Sequence, residues 1–165
     1  MPASPYQHVM AALDESEEWH TVAGRAGDLA RRFGARLTLL HVVDQRALAA
    51  GGEADVPLFG MDERAGRPST TDPAPVPSSL DDRLMVQARL FLGTVAERLP
   101  DIRAEGVVVA SATIAHAIAE SARRRDVDLL VCGAHRRHWF GGLFGSPADG
   151  VVHEMPCDLL LVRLP

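Results

Sequence analysis

Apolar positions along this chain follow two spacings: short unbroken runs, and longer stretches in which they recur every three or four residues. The runs are His8 to Leu13 (HVMAAL), Ala35 to Val43 (ARLTLLHVV), Ile102 to Ala110 (IRAEGVVVA), Val127 to Cys132 and Cys157 to Leu164 (CDLLLVRL). Such runs read as strands buried on both faces, because a half-exposed strand would alternate with polar positions. From Glu17, the positions Trp19, Val22, Ala23, Ala26, Leu29, Ala30 and Phe33 give the periodicity of a helix burying one face. Arg31 and Arg32 suit its negative end, Gly34 stops it, and Asp14-Glu15-Ser16-Glu17 marks its start. Leu84, Ala88, Phe91, Leu92, Val95, Ala96 and Leu99 mark a second helix, opening at Ser79-Leu80-Asp81 and closed by Pro100. A third is capped by Ser111 or Thr113 and carries Ile114, Ala115, Ile118 and Ala122 on one face, with Arg123-Arg124-Arg125 in its last turn. Gly145-Ser146-Pro147 opens a fourth, from about Pro147 to Glu154, with Ser146 as N-cap and Pro147 in the first turn, where its missing donor has no consequence.

Strands alternating with helices predict an α/β fold: a doubly wound five-stranded parallel sheet in three layers, α/β/α, with strand order 3-2-1-4-5 and one domain spanning residues 1–165. Ligands in such folds sit beyond the carboxyl ends of the strands, where the winding reverses. In this order that crevice brings together Asp14, the corner at Val43-Asp44 and the turn expected to begin at Gly133. The exception to the pattern is residues 45–79, with five prolines, four glycines and no sustained periodicity. That stretch reads as a flexible insertion, with Val56, Leu58 and Phe59 docking locally. Gly106 marks a possible bulge in the third strand.

Composition narrows the function classes. With 47% hydrophobic and 24% charged residues this is globular composition, and a net charge of −5 with both signs interspersed argues against nucleic-acid binding. No apolar run reaches the ~18 residues of a spanning helix. Met1-Pro2-Ala3-Ser4-Pro5 lacks the charged and apolar regions of a signal peptide, so the expectation is a cytoplasmic protein without membrane insertion. Cys132 and Cys157 fall at opposite ends of neighbouring strands and read as reduced core residues.

Chemistry concentrates after the fourth strand. A strand closed by Gly133, then His135, Arg136, Arg137 and His138, then Gly145-Ser146-Pro147 at a helix start, could hold an anion through free amides, the helix dipole and positive side chains. The same residues also suit an ordinary strand-to-helix connection. Asp14 near a helix N-terminus stabilises the dipole whatever else it does. Trp139 and Phe140 suit local packing as well as a ligand. His135 and His138 lack a third nearby ligand and make a poor metal site, and His41, inside a strand, reads as a core histidine bonded to backbone. No G-x-S-x-G elbow or G-x4-G-K-[ST] loop is present, and no general base is nominated.

Asp128-Leu129-Leu130-Val131-Cys132-Gly133-Ala134-His135, Gly145-Ser146, Pro156-Cys157-Asp158-Leu159-Leu160-Leu161-Val162 and Val9 to Ser16 together resemble the universal stress protein family over every predicted element except the insertion. In that family a strand ending in Asp approaches the base of bound ATP, the corner after the second strand frames the adenine through its backbone, and a G-x2-G-x9-G-[ST] loop wraps the phosphates. The resemblance implies nucleotide-binding roles for Asp14, Val43, Gly133, Gly145 and Ser146. Arg136 stands where the pattern has its second glycine, and Gly133 to Gly145 is one residue shorter than the pattern. Arginine offers neither positive φ nor close backbone approach, although its guanidinium could bind phosphate directly. In this loop the chain resembles the family branch that does not retain nucleotide.

The last predicted strand lies at the sheet's edge yet is apolar on both faces, through Leu159, Leu160, Leu161, Val162 and Leu164 around Arg163, and an uncovered edge of that kind invites another strand. Pairing with a two-fold copy gives a homodimer, which the resemblance also implies. The expectation is a non-enzymatic stress-response protein that acts through protein partners not identified by the sequence and senses adenine nucleotide. Two alternatives stand beside it: a protein that binds ATP with Mg²⁺ and hydrolyses it slowly, and an accessory domain regulating a transporter or kinase.

Overall fold

The computed structural model describes residues 4–44, 56–59, 80–135 and 153–165. Its elements in chain order are β1 (His8–Leu13), α1 (Trp19–Phe33), β2 (Arg36–Asp44), β3 (Val56–Phe59), α2 (Leu80–Glu97), β4 (Ala104–Ser111), α3 (Ile114–Arg124), β5 (Leu129–His135) and β6 (Asp158–Leu164). They build a sheet of order β3-β4-β2-β1-β5-β6. The run β4-β2-β1-β5-β6 is parallel throughout and is the five-stranded 3-2-1-4-5 arrangement read from the sequence.

The addition is β3, which pairs antiparallel with β4 from within the predicted insertion. An edge position is where a strand tolerates Pro57. The β3 register shifts between Pro57 and Phe59, opposite Val107 and Gly106, while Gly106 itself keeps unbroken register with Leu39 of β2. The irregularity expected at Gly106 therefore belongs to the neighbouring strand. Of the fourth predicted helix, His153 and Glu154 are helical, and its remainder lies outside the described residues, as does the rest of the insertion.

Strict alternation along parallel strands divides the core in two. Val9, Ala11 and Leu13 of β1, Leu37, Leu39 and Val43 of β2, and Leu129 and Val131 of β5 pack with α1 and α2. Met10, Leu40, Val107, Val109, Leu130 and Cys132 pack on the other face with α3. Because every one of these strands is covered on both sides, each reads as a continuous apolar run.

Local chemistry sets the helix boundaries. Gly34 closes α1 in the left-handed region at φ 64°, with its N–H on the Arg31 carbonyl (3.3 Å) and the Ala35 N–H on the Ala30 carbonyl (2.9 Å). Asp126 ends α3 in the same way at φ 50°, its N–H reaching the Arg123 carbonyl and that of Val127 the Ala122 carbonyl. α1 begins at Trp19, two residues later than read from the sequence, because Asp14 and Ser16 bond to each other instead of capping the helix. Thr113 takes the N-cap position of α3 without a side-chain cap bond, while the Ser111 hydroxyl accepts the Thr113 N–H at 3.1 Å.

Candidate functional site

β1 and β5 are neighbours in the sheet, but the chain leaves β1 into α1 on one face and reaches β5 from α3 on the other. The two helices therefore part above the carboxyl ends of these strands and leave a crevice at the switch point. A cavity of about 190 Å³ lies there. Trp19, Val22, Leu13 and Leu164 border it from the α1 side, and Leu40, Val42, Ile114, Ile118 and Cys132 from the α3 side. Its polar rim is the β1–α1 turn, through Asp14 and Ser16.

The rim is preorganised. Asp14 Oδ1 accepts the Ser16 N–H at 3.2 Å and the Ser16 hydroxyl at 2.5 Å, and the Trp19 N–H donates to the Ser16 carbonyl at 3.2 Å. This local turn fixes the exposed carboxylate through Oδ1, and among the described residues Oδ2 takes no hydrogen bond. Burial pushes the Cys132 thiol up to about 11, so at neutral pH it is a protonated wall and not a nucleophile. Among the described residues, no group of three or more His, Cys, Asp or Glu side chains could hold a metal ion.

Asp14 and Gly133, predicted as site residues, line this one cavity. Val43, expected to act through its backbone, has its side chain buried toward α1 and α2, and Leu40 and Val42 are the β2 residues whose side chains border the cavity. Arg136, Gly145 and Ser146 lie outside the described residues. Nor does the chain turn at Gly133. β5 continues to His135 because β6 pairs alongside it as far as Leu164, with Gly133 opposite Val162. Gly133 has an additional packing reason, since a Cβ there would stand 2.6 Å from Leu164 Cδ1 and 3.3 Å from Val22 Cγ2. The walls supplied by Trp19, Ile114, Ile118 and Leu164 went unassigned in the sequence, where each fits its own helix or strand. The usable signal was topological: the first turns of the two helices that diverge at a switch point must border the crevice.

Both cysteines are free. Cys132 pairs with Leu161 while Cys157 precedes the Leu129–Asp158 rung, which keeps the thiols at different levels of the sheet as expected. His41 is a buried histidine whose Nδ1 bonds the Leu13 carbonyl at 2.8 Å, also as expected. At the sheet border Leu159, Leu160 and Leu161 are half-buried, Val162 is buried and Arg163 is exposed. No helix among the described residues is long and apolar enough to cross a membrane.

A doubly wound sheet with a crevice at its switch point defines a class of small α/β proteins that take ligands beyond their strand ends. The sequence model of the universal stress protein family matches residues 5–163, and the chain belongs to that family. Universal stress protein A homolog 1 of Coxiella burnetii is 27% identical over 157 residues, 95% of this chain and 96% of the relative. Among solved structures, the universal stress protein from Archaeoglobus fulgidus in complex with dAMP superposes with a TM-score of 0.62 at 17% identity, covering 94% of this chain and 97% of that one. A universal stress protein in complex with cAMP gives 0.60 at 16% identity, covering 96% and 97%. At these identities the likeness to the solved structures is one of fold.

Proposed function

We propose that this protein is a non-enzymatic, cytoplasmic stress-response protein that binds adenine nucleotide in the switch-point cavity and acts as a homodimer through protein partners. The observation that carries the reading is the meeting of Asp14 and Gly133 at one cavity with apolar walls. Apolar walls suit a nucleobase, and the fixed Asp14 carboxylate suits a hydroxyl or amine donor on the ligand. At about 190 Å³ the cavity is smaller than the ~300–1,000 Å³ of pockets that enclose whole drug-sized ligands. It accommodates a base-sized group, with the rest of the ligand outside the cavity. The complexes of family members with dAMP and cAMP support the same ligand class. A magnesium ion, where present, would be held by the nucleotide's own phosphates, the usual mode for this cation. The protonated Cys132 thiol and the Ser16 hydroxyl, already donating to Asp14, favour binding over turnover.

Calorimetric titration with ATP and Mg²⁺ tests this. Saturable binding weakened about tenfold or more by Asp14→Ala is expected, the effect of removing a charged hydrogen-bond acceptor. Absence of heat in the wild-type protein, together with no adenine nucleotide released on denaturation, removes the reading.

A further inference from the structure

We infer that His41 is a positioning residue for the turn that carries Asp14 to the cavity, an assignment that rests on the nucleotide reading of that cavity. β1 pairs with β5 only as far as Ala12 opposite Cys132, whereas it pairs with β2 one rung further, Leu13 opposite His41. Leu13 is thus the last strand residue before Asp14, and it is held by the β2 ladder alone. The His41 side chain adds a second hold from the same β2 residue, through Nδ1 to the Leu13 carbonyl at 2.8 Å. A carbonyl can only accept, so Nδ1 carries the proton.

The imidazole is itself wedged in place. Phe91 of α2 meets it edge-to-face at 5.4 Å, and Trp19, a cavity wall, meets Phe91 at 5.9 Å. Glu15, the residue after Asp14, brings Oε1 to 3.9 Å from Nε2, so the ring contacts the turn on both sides of Asp14. A leucine would fill this core position with no polar group to satisfy, whereas the histidine spends its Nδ1–H on the carbonyl of the residue that precedes the ligand-facing carboxylate.

The test combines two variants and one measurement on the wild-type protein. In ligand-free protein, His41→Leu is expected to speed hydrogen exchange at the Ser16, Trp19 and Thr21 amides about tenfold while α3 amides keep their rates, the effect of losing one buried hydrogen bond. His41→Asn, whose side-chain amide can replace the Nδ1 donor, is expected to restore most of that protection. ATP–Mg²⁺ affinity should fall and recover in the same order. Unchanged exchange in His41→Leu, or an Asn variant as loose as the Leu variant, overturns the assignment. Should the Leu variant unfold, the imidazole ¹⁵N spectrum of the wild type decides: an Nδ1–H tautomer with slow proton exchange supports the inference, and an Nε2–H tautomer overturns it. If wild-type protein binds no ATP, the nucleotide reading falls, while exchange and tautomer still decide whether His41 holds the turn.

Discussion

At the scale of single residues, two buried histidines occupy opposite ends of the sheet with different consequences. His41 anchors the carboxyl-end turn, whereas His8, at the amino end and 2% exposed, bridges the Arg125 carbonyl through Nδ1 (2.9 Å) and the Thr38 hydroxyl through Nε2 (2.8 Å). Burial holds the His8 pKa below the ordinary imidazole range. The bond to Arg125 and the charges of Glu105 and Asp128 oppose this, and Arg36 adds to it. The sign follows from proton binding. An unfolded His8 takes up its proton near pH 6.5, while the folded one does so only at lower pH, so between those values the unfolded chain binds more protons. Stability is fully present above about pH 6.5 and is lost as pH falls through the folded value. Urea unfolding of the wild type at pH 7.5 and 5.5 should show this loss, and His8→Asn, which cannot titrate there, should show a smaller one. An equal pH slope in both proteins would assign the acid sensitivity to other groups.

At the scale of elements, the limits of sequence reading follow from what each signal encodes. Periodicity reports burial, so all five parallel strands and helices α1 to α3 were legible: each is an apolar run or stripe with its own stop signal, such as Gly34. β3 has no periodic pattern and contains a proline, and it exists only because β4 offers an edge, a tertiary fact that local sequence does not carry. The extension of β5 past Gly133 was hidden for the same reason, since glycine reads as a turn until its partner strand is known. Of the cavity lining, Asp14 and Gly133 were legible; the walls, including Leu40 and Val42, needed the strand parity that only the assembled sheet provides. β6 leads to a prediction at this scale. It presents the half-buried Leu159, Leu160 and Leu161 on a strand hydrogen-bonded to β5 on one side, with neither lysine nor proline to blunt it. Light scattering after size exclusion should give twice the chain mass at micromolar concentration, and Leu161→Lys should shift the population to monomer. A wild-type monomer would rule out assembly through this strand.

At the scale of the whole molecule, the cavity is walled by pieces of chain far apart in sequence: Ala12 to Val22 from the start, Leu40 and Val42 from β2, Ile114 and Ile118 from α3, Cys132 and Gly133 from β5, and Leu164 at the end of β6. The close approach at Gly133 shows how tightly these pieces converge, with Leu164 and Val22 both within reach of an added methyl. A ligand seated there contacts both halves of the doubly wound sheet, so its binding energy is lost only when the halves separate. Binding should therefore appear in global unfolding as well as in local ordering of the β1–α1 turn. At a free ATP concentration of about 100 times Kd the folded state gains ~2.7 kcal/mol. For a chain of this size, where each kcal/mol moves the midpoint by ~2–4 °C, Tm should rise by roughly 5–10 °C. Asp14→Ala should reduce that rise without abolishing the transition, because the carboxylate is exposed and contributes little to the core. A Tm that stays constant while calorimetry still reports binding would mean that the unfolded chain binds the ligand as tightly as the folded one, and would overturn a folded cavity as the site.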